Sequence, residues 1–389
     1  MSESIYYNKY LKYKNKYLEL QKAGHPKNYS ELPTDIKSNI SNLLTLKDNY
    51  TLSKIDKDSK KVVSYYNNCN MEPVEIDLKS WRLTFPNAPC IFLNERYDIS
   101  NDDFQYLCDI KKIKINKLIH LRDNGISYLT EVEDLSINNC HSISGNGFLN
   151  LVNLKKLELY NCRSIIDIPF QNLNKLEELI IINCNRFLNT SFIHLNNLKK
   201  LHLYACEQIS DIGFDNLTSL EDLVINSCPR ITDNIFINLN KLKKLRLKYC
   251  INLTDNIFKY IKEIEELSIV YCSNIRNDGF INLKNLKILG LYIVEHITDA
   301  AFLYLTNLEE LNIISNKLTN NAFLNLKKLK KLNIINCSNL TDDIFQKLIT
   351  LENLRIDNCK NIKNNTFPQL INLKKIEIFN NNLNERLND

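Results

Sequence analysis

The sequence predicts an α/β solenoid of about fourteen repeats of 22 residues, preceded by a small N-terminal helical module. Three observations predict it. Nine of the twelve Cys fall at Cys140, Cys162, Cys184, Cys206, Cys228, Cys250, Cys272, Cys337 and Cys359, the first seven each 22 residues apart. A block of the form LxxLxLxxC runs up to these landmarks, as in Leu154-Lys-Lys-Leu157-Glu-Leu159 before Cys162 and Leu242-Lys-Lys-Leu245-Arg-Leu247 before Cys250. Phe recurs once per period, at Phe104, Phe148, Phe170, Phe192, Phe214, Phe236, Phe258, Phe280, Phe302, Phe323, Phe345 and Phe367, so twelve of the sixteen Phe join one column.

Residues 1–22 carry dense Tyr, Leu and Lys with no helix breaker, and read as a helix or tail. A basic aromatic helix suits a membrane surface or nucleic acid, and equally a solvated helix packed on its neighbour. This opening, together with the Asn/Ile/Lys usage, resembles the start of many proteins of mimivirus-like giant DNA viruses. Gly24 and Pro26 mark a linker.

Residues 30–65 read as a small helical module. Pro33 suits a helix start, and Ile36, Ile40, Leu43 and Leu44 share one face at helical spacing. Lys47-Asp48 is a polar break, and Leu52 and Ile55 begin another apolar face. The set Leu32-Pro33, Asp35-Ile36, Ile40, Leu43, Asp48, Leu52, Ile55 and Lys57 resembles an F-box. Asn49 departs from the family's usual Leu, and Ser59 from its frequent Trp. The resemblance implies that Leu32, Pro33, Ile36, Ile40 and Leu43 contact the adaptor subunit of an SCF-type (cullin) ubiquitin ligase. The other reading is a plain helical cap for the repeats.

Residues 67–90 form an N-terminal cap, because an array end exposes its core. Val74, Ile76 and Leu78 alternate like a strand, and Trp81 and Phe85 seal the first repeat.

Residues 91–389 are the repeats. The 22-residue step runs from Arg96 and Leu118 through the Cys landmarks, Val294 and Asn316, with one step of 21 to Cys337 and a last register at Asn381. Each repeat supplies a strand whose Leu residues point inward by period-two alternation. An Asp then opens a short helix or 3₁₀ turn, where its carboxylate caps orphan N–H groups, and the Phe buries that turn. The pattern is very similar to the cysteine-containing leucine-rich repeat family, which implies a solenoid with a concave strand face. An F-box followed by such repeats is a frequent pairing.

Composition excludes much. The 7 Gly and 8 Pro are few, whereas the 58 Asn are about one residue in seven and supply turns without Gly. A net charge of +5 does not imply nucleic acid, which favours a concentrated basic face. No apolar run has the length of a membrane span, and no signal core opens the sequence, so the expectation is an intracellular protein of the host cytoplasm or nucleus with reduced thiols. There is no CxxC pair, no metal-ligand spacing and no nucleophile or phosphate-loop motif. No cofactor and no catalysis are expected, and the Cys column reads as core.

The non-Leu strand residues remain as the candidate binding surface. One column, two places before each landmark, contains Tyr160, Ile182, Tyr204, Lys248, Val270 and Tyr292, and a second, four places before, contains Ile180, His202, Val224 and Arg246. An exposed apolar and aromatic cluster marks an interaction site. The expected target-binding set is Tyr160, Ile182, His202, Tyr204, Arg246, Lys248, Val270 and Tyr292, with Arg246 and Lys248 favouring an acidic element in the target. The competing reading is that β-propensity alone selects Tyr, Ile and Val here.

Overall fold

The computed structural model describes residues 73–363 and 367–379. The chain divides into two compact units, residues 1–175 and 176–389. The Tyr/Lys segment 1–22 and the helical module 30–65, with Leu32, Pro33, Ile36, Ile40 and Leu43, lie outside the described residues.

The described residues of the first unit contain helix α1 (Leu78–Thr84), followed by strands β1 (Cys90–Asn94), β2 (Lys112–Asn116), β3 (Asp134–Asn138) and β4 (Lys156–Tyr160), paired in parallel in chain order. Here the expected alternation over Val74, Ile76 and Leu78 is overturned. Asp77 accepts a hydrogen bond from the Ser80 N–H at 2.8 Å and caps a helix that contains Leu78, and only Pro73 bridges to Phe92. A helix is favoured because it turns Leu78, Trp81 and Phe85 to one side, at spacings of three and four. All three are buried, with the Trp81 and Phe85 rings 5.9 Å apart. Arg82 ties this cap onward by donating to the Tyr106 carbonyl and pairing with Asp109.

The second unit contains β5 (Glu178–Ile182), β6 (Lys200–Tyr204), β7 (Asp222–Asn226), β8 (Lys244–Lys248), β9 (Glu266–Val270), β10 (Ile288–Tyr292), β11 (Glu310–Ile314), β12 (Lys331–Ile335), β13 (Asn353–Asp357) and β14 (Lys375–Phe379). These too pair in parallel in chain order. Every strand is five residues long, and partners lie 22 residues apart except across β11 and β12, where Glu310 faces Lys331 at 21.

On β1 to β13 the inward Leu and Ile are buried, as are the landmark Cys and the column Phe where the repeats carry them, whereas Ile376 and Ile378 of the last strand β14 are half-buried. Phe column members pack on one another, as Phe192 on Phe214 at 5.9 Å and Phe258 on Phe280 at 5.4 Å. Gly279 is required there, since a Cβ would stand 2.1 Å from the Phe258 ring. The Cys column is core. Its thiols donate weakly to the carbonyl two residues back, as Cys206 Sγ to Tyr204 O at 3.4 Å. Burial pushes the Cys140 thiol up to about 11, which leaves it inert as a nucleophile. Cys90 is disulfide-bonded, a departure from the expectation of reduced thiols throughout.

The turns opposite the strands are almost all 3₁₀, with one short α-helix, α2 (Asp123–Ile126). The expected role of Asp is corrected. Where a side chain caps one of these turns from the N-cap position it is Thr: Thr232, Thr254 and Thr319 accept from the N–H groups of Asn234, Asn256 and Asn321. The carboxylate instead reaches the following repeat. Asp211 accepts from the Thr232 N–H at 2.8 Å and its hydroxyl at 2.5 Å, and Asp233 does the same for Thr254. A short polar side chain at the start of a stacked turn is as near to the neighbouring repeat as to its own, so the cap becomes a link between repeats.

Asn richness acquires a second cause. Side-chain amides donate to carbonyls one repeat back, as Asn216 to Ile193 O at 2.8 Å, Asn252 to Pro229 O at 2.6 Å and Asn372 to Ile349 O at 2.8 Å. A primary amide fits such a ladder because it both donates and accepts.

Candidate functional site

The outer face of the strands holds the residues predicted for binding. In the second unit, Ile182, Tyr204, Asn226, Lys248, Val270 and Tyr292 are cross-strand neighbours in register on β5 to β10. All six are half-buried. A second row, Ile180, His202, Val224, Arg246, Ser268 and Gly290, lies beside it. Parallel pairing without a register shift puts side chains of one column about 4.8 Å apart, which closes gaps between them and hides part of each. Tyr160 occupies the corresponding place on β4 in the first unit, with its hydroxyl 3.2 Å from Glu158 Oε2. Tyr292 lies back over its own strand. A Cβ on Gly290 would meet the Tyr292 ring at 2.7 Å, so that glycine is the condition for the ring's position.

Charge on this face is largely internal. His202 Nε2 stands 3.3 Å from Asp222 Oδ1, which is 3.7 Å from Arg246 Nη1. Neither atom of the His202–Asp222 pair has an aligned hydrogen-bond partner. Arg246 Nη2 donates to Glu266 Oε1 at 2.6 Å, and Lys244 Nζ lies 3.3 Å from Glu266. Burial pulls the Asp222 carboxyl upward, while His202, Arg246 and Lys200 outweigh it and hold the group below the usual carboxylate range. The structure therefore brings His202 and Arg246 together through Asp222. It commits Arg246 to two carboxylates of its own chain, whereas Lys248 Nζ lies 5.2 Å from the centre of the Tyr249 ring and, among the described residues, has no carboxylate at ion-pair distance.

Beyond each described strand of the second unit up to β13, except β11, the chain turns through one left-handed residue. In the second unit these are Asn183, Ala205, Ser227, Tyr249, Tyr271, Ile293, Asn336 and Asn358, with φ between 49° and 55°. The N–H of this residue donates to the next strand's last carbonyl, as Tyr249 to Val270 O at 3.0 Å and Ile293 to Ile314 O at 2.9 Å. That bond enforces the conformation in any residue type. Asn tolerates it, whereas side chains with bulk at Cβ pay about 1–2 kcal/mol, and a β-branched residue is an outlier. Tyr249, Tyr271 and Ile293 nevertheless occupy three consecutive turns, exposed by 46%, 43% and 43%. The two Tyr rings stack at 5.1 Å and 14°.

The turn after β11 differs. Among the described turns of the second unit it alone has no left-handed residue, and it is one residue shorter, which accounts for the 21-residue step. Ser315 is buried there, and its hydroxyl accepts from the Lys317 N–H at 3.1 Å. The missing residue leaves a notch of about 410 Å³ bounded by Ile293, Glu295, Ser315, Lys317 and Asn336. Sequence reasoning passed over this edge because it followed the alternating strand positions. The available signal was the column one place before the landmark, where Asn is common and Tyr, Tyr, Ile breaks the habit.

Among the described residues no group of three or more His, Cys, Asp or Glu is placed to hold a metal ion, and no helix is long and apolar enough to cross a membrane.

These features agree with what the chain resembles. The family model for the BspA type leucine rich repeat region matches in six copies, over residues 97–221, 163–287, 207–319 and 295–386. The chain belongs to this leucine-rich repeat family. The BspA type is the one matched, where the Cys spacing alone resembled the cysteine-containing type. No curated protein matches. Among solved structures, an internalin from Listeria monocytogenes is similar at 21% identity over 74% of this chain and 85% of that one, with a TM-score of 0.55. A leucine-rich repeat protein of Leptospira interrogans is similar at 19% identity, over 80% and 89%, with a TM-score of 0.54. A chain of the Drosophila Toll–Spatzle complex is similar at 16% identity, over 80% and 45%, with a TM-score of 0.59. At these identities the likeness is one of fold.

Proposed function

We propose that this repeat protein is a non-enzymatic binding subunit. It holds a target protein on the outer face of its strands and presents it to an SCF-type (cullin) ubiquitin ligase of the host cytoplasm or nucleus. The observation that carries the binding half is the row Ile182, Tyr204, Val270 and Tyr292, which leaves apolar and aromatic surface half-exposed beside the polar chain His202–Asp222–Arg246–Glu266. Large flat side chains at low entropic cost, ringed by polar groups, are what hot spots of protein interfaces consist of. Because Arg246 is already paired, Lys248 is the cation of this face offered to an acidic group of the target.

The ligase half is supported by sequence resemblance. Leu32, Pro33, Ile36, Ile40 and Leu43 occupy the adaptor-contacting places of the F-box pattern. The chain's contribution to ubiquitin transfer would be proximity, with the chemistry supplied in trans.

The test is capture of purified SCF adaptor subunit by the full chain. We expect binding that Leu32→Ala with Ile36→Ala abolishes while the melting of the repeats is unchanged. If the folded chain captures no adaptor, the ligase half is wrong and the molecule is an interaction scaffold with no ubiquitin role. Tyr204→Ala with Tyr292→Ala tests the face separately, by loss of the target recovered by proximity labelling.

A further inference from the structure

The outer face does not account for the edge of the second unit. Tyr249, Tyr271 and Ile293 combine two unfavourable features at three turns in a row. Each holds a bulky side chain in the left-handed region, and each exposes more than two fifths of its surface. Elsewhere in the second unit the same turn is made by Ala205 and Ser227, which are small, and by Asn183, Asn336 and Asn358, whose side chains are exposed but polar and tolerate the left-handed region. In the second unit, aromatic or β-branched side chains held exposed in the left-handed region at three turns in a row are a mark of a binding surface rather than of folding.

The patch has a definite chemistry. One end is Lys248, whose Nζ lies against the Tyr249 ring and has no carboxylate at ion-pair distance among the described residues. The Arg246 beside it on β8 is paired with Glu266 and Asp222, so Lys248 is the charge left for a partner. The middle is the stacked Tyr249–Tyr271 pair, whose outer ring surface is apolar. The far end is the notch after Ile293, walled by the buried Ser315 and by the Glu295 and Lys317 side chains, which bring opposite charges to its rim.

We propose that this edge is a docking site for an extended acidic peptide segment of a partner protein. Its carboxylate meets Lys248, aromatic or branched apolar side chains lie along Tyr249, Tyr271 and Ile293, and one side chain enters the notch. A consecutive row of turns presents such a segment with a straight track, and the single net charge sets its direction, acidic end toward Lys248. The site shares Lys248 with the outer face but uses neither Tyr204 nor Tyr292, so variants at those two residues tell the two sites apart.

The experiment pans a phage-displayed library of random peptides on the full chain. The selected peptides are expected to carry Asp or Glu next to aromatic or branched residues. Their affinity, measured by fluorescence anisotropy, should fall at least tenfold for the triple variant Tyr249→Asn, Tyr271→Asn, Ile293→Asn, with a melting temperature equal to or above that of the parent. Lys248→Glu should reverse the selection toward basic peptides, and Tyr204→Ala with Tyr292→Ala should leave peptide affinity within twofold. The proposal is overturned if no peptide is enriched, if the enriched set has no acidic bias, if a neutral oligosaccharide is bound instead, or if the triple variant binds equally well. It is also overturned if the triple variant melts below the parent, because the ridge would then serve folding.

Discussion

The edge turns after β5, β12 and β13 and those after β8, β9 and β10 share one backbone and present opposite surfaces. In the first group Asn183, Asn336 and Asn358 take the left-handed conformation at little cost and leave a polar edge. In the second, Tyr249, Tyr271 and Ile293 take it against their preference and leave an apolar one. Backbone geometry in this molecule is imposed by stacking, through the N–H bond to the next strand, and residue choice is then free to follow something other than the fold. A repeat protein thus separates its framework from its contacts more cleanly than a globule, and a residue unsuited to its place in the framework is the sign of a contact.

That contrast can be broken or sharpened at several depths. The deepest cut removes the core both edges stand on. Phe258→Ala opens a void beneath Phe280, and is expected to cost about 3–5 kcal/mol in urea unfolding, the largest effect, with no preference for either edge. Next come the links between repeats. Asp233→Ala strands the Thr254 N–H and hydroxyl and should cost about 1–2 kcal/mol, read by the same unfolding curve. A smaller loss would return the cap to Thr alone.

The comparison itself is tested by exchange. Tyr271→Asn should raise stability by about 1 kcal/mol and Asn358→Tyr should lower it by about as much. Equal and opposite shifts are the expected outcome, and a loss in both would mean that the stacked Tyr pair stabilises the turn. A weaker effect concerns acid. Asp222 is held below its ordinary range, so the folded state binds this proton less readily than the unfolded chain. Its contribution is present above the unfolded value of 3.8 and is lost as pH falls below that and through the folded one. Melting temperatures of Asp222→Asn across that window should slope less than the parent's. Smallest of all, Lys287→Ala breaks an exposed pair with Glu265 at 2.7 Å and should leave the melting temperature unchanged.

Much of this was readable from residue order. The period, the LxxLxL strands, the Phe column and the buried Cys all follow from a 22-residue recurrence, because a stacked unit must bury the same positions each time. The same logic placed Tyr204, Val270 and Tyr292 on the outer strand face. It failed at Val74 to Leu78, where apolar alternation suggested a strand and the Asp77 cap with Trp81 and Phe85 made a helix. It also misassigned the Asp carboxylates, since a local capping rule does not foresee that the neighbouring turn is as close as its own. The pairing of Arg246 with Asp222 and Glu266 spans three strands, and no spacing along the chain announces it.

The sequence by itself determined the repeat, its length, its core and the leucine-rich repeat class, though not its BspA type, because periodic burial is written in periodic residues. Only the tertiary structure decided what the exceptions mean. A deleted residue is a small change of count in the sequence, yet between β11 and β12 it is taken up in the turn and opens a notch, since strand register is held by hydrogen bonds on both sides. Likewise Tyr249, Tyr271 and Ile293 are ordinary residues until stacking forces them into the left-handed region and out into solvent.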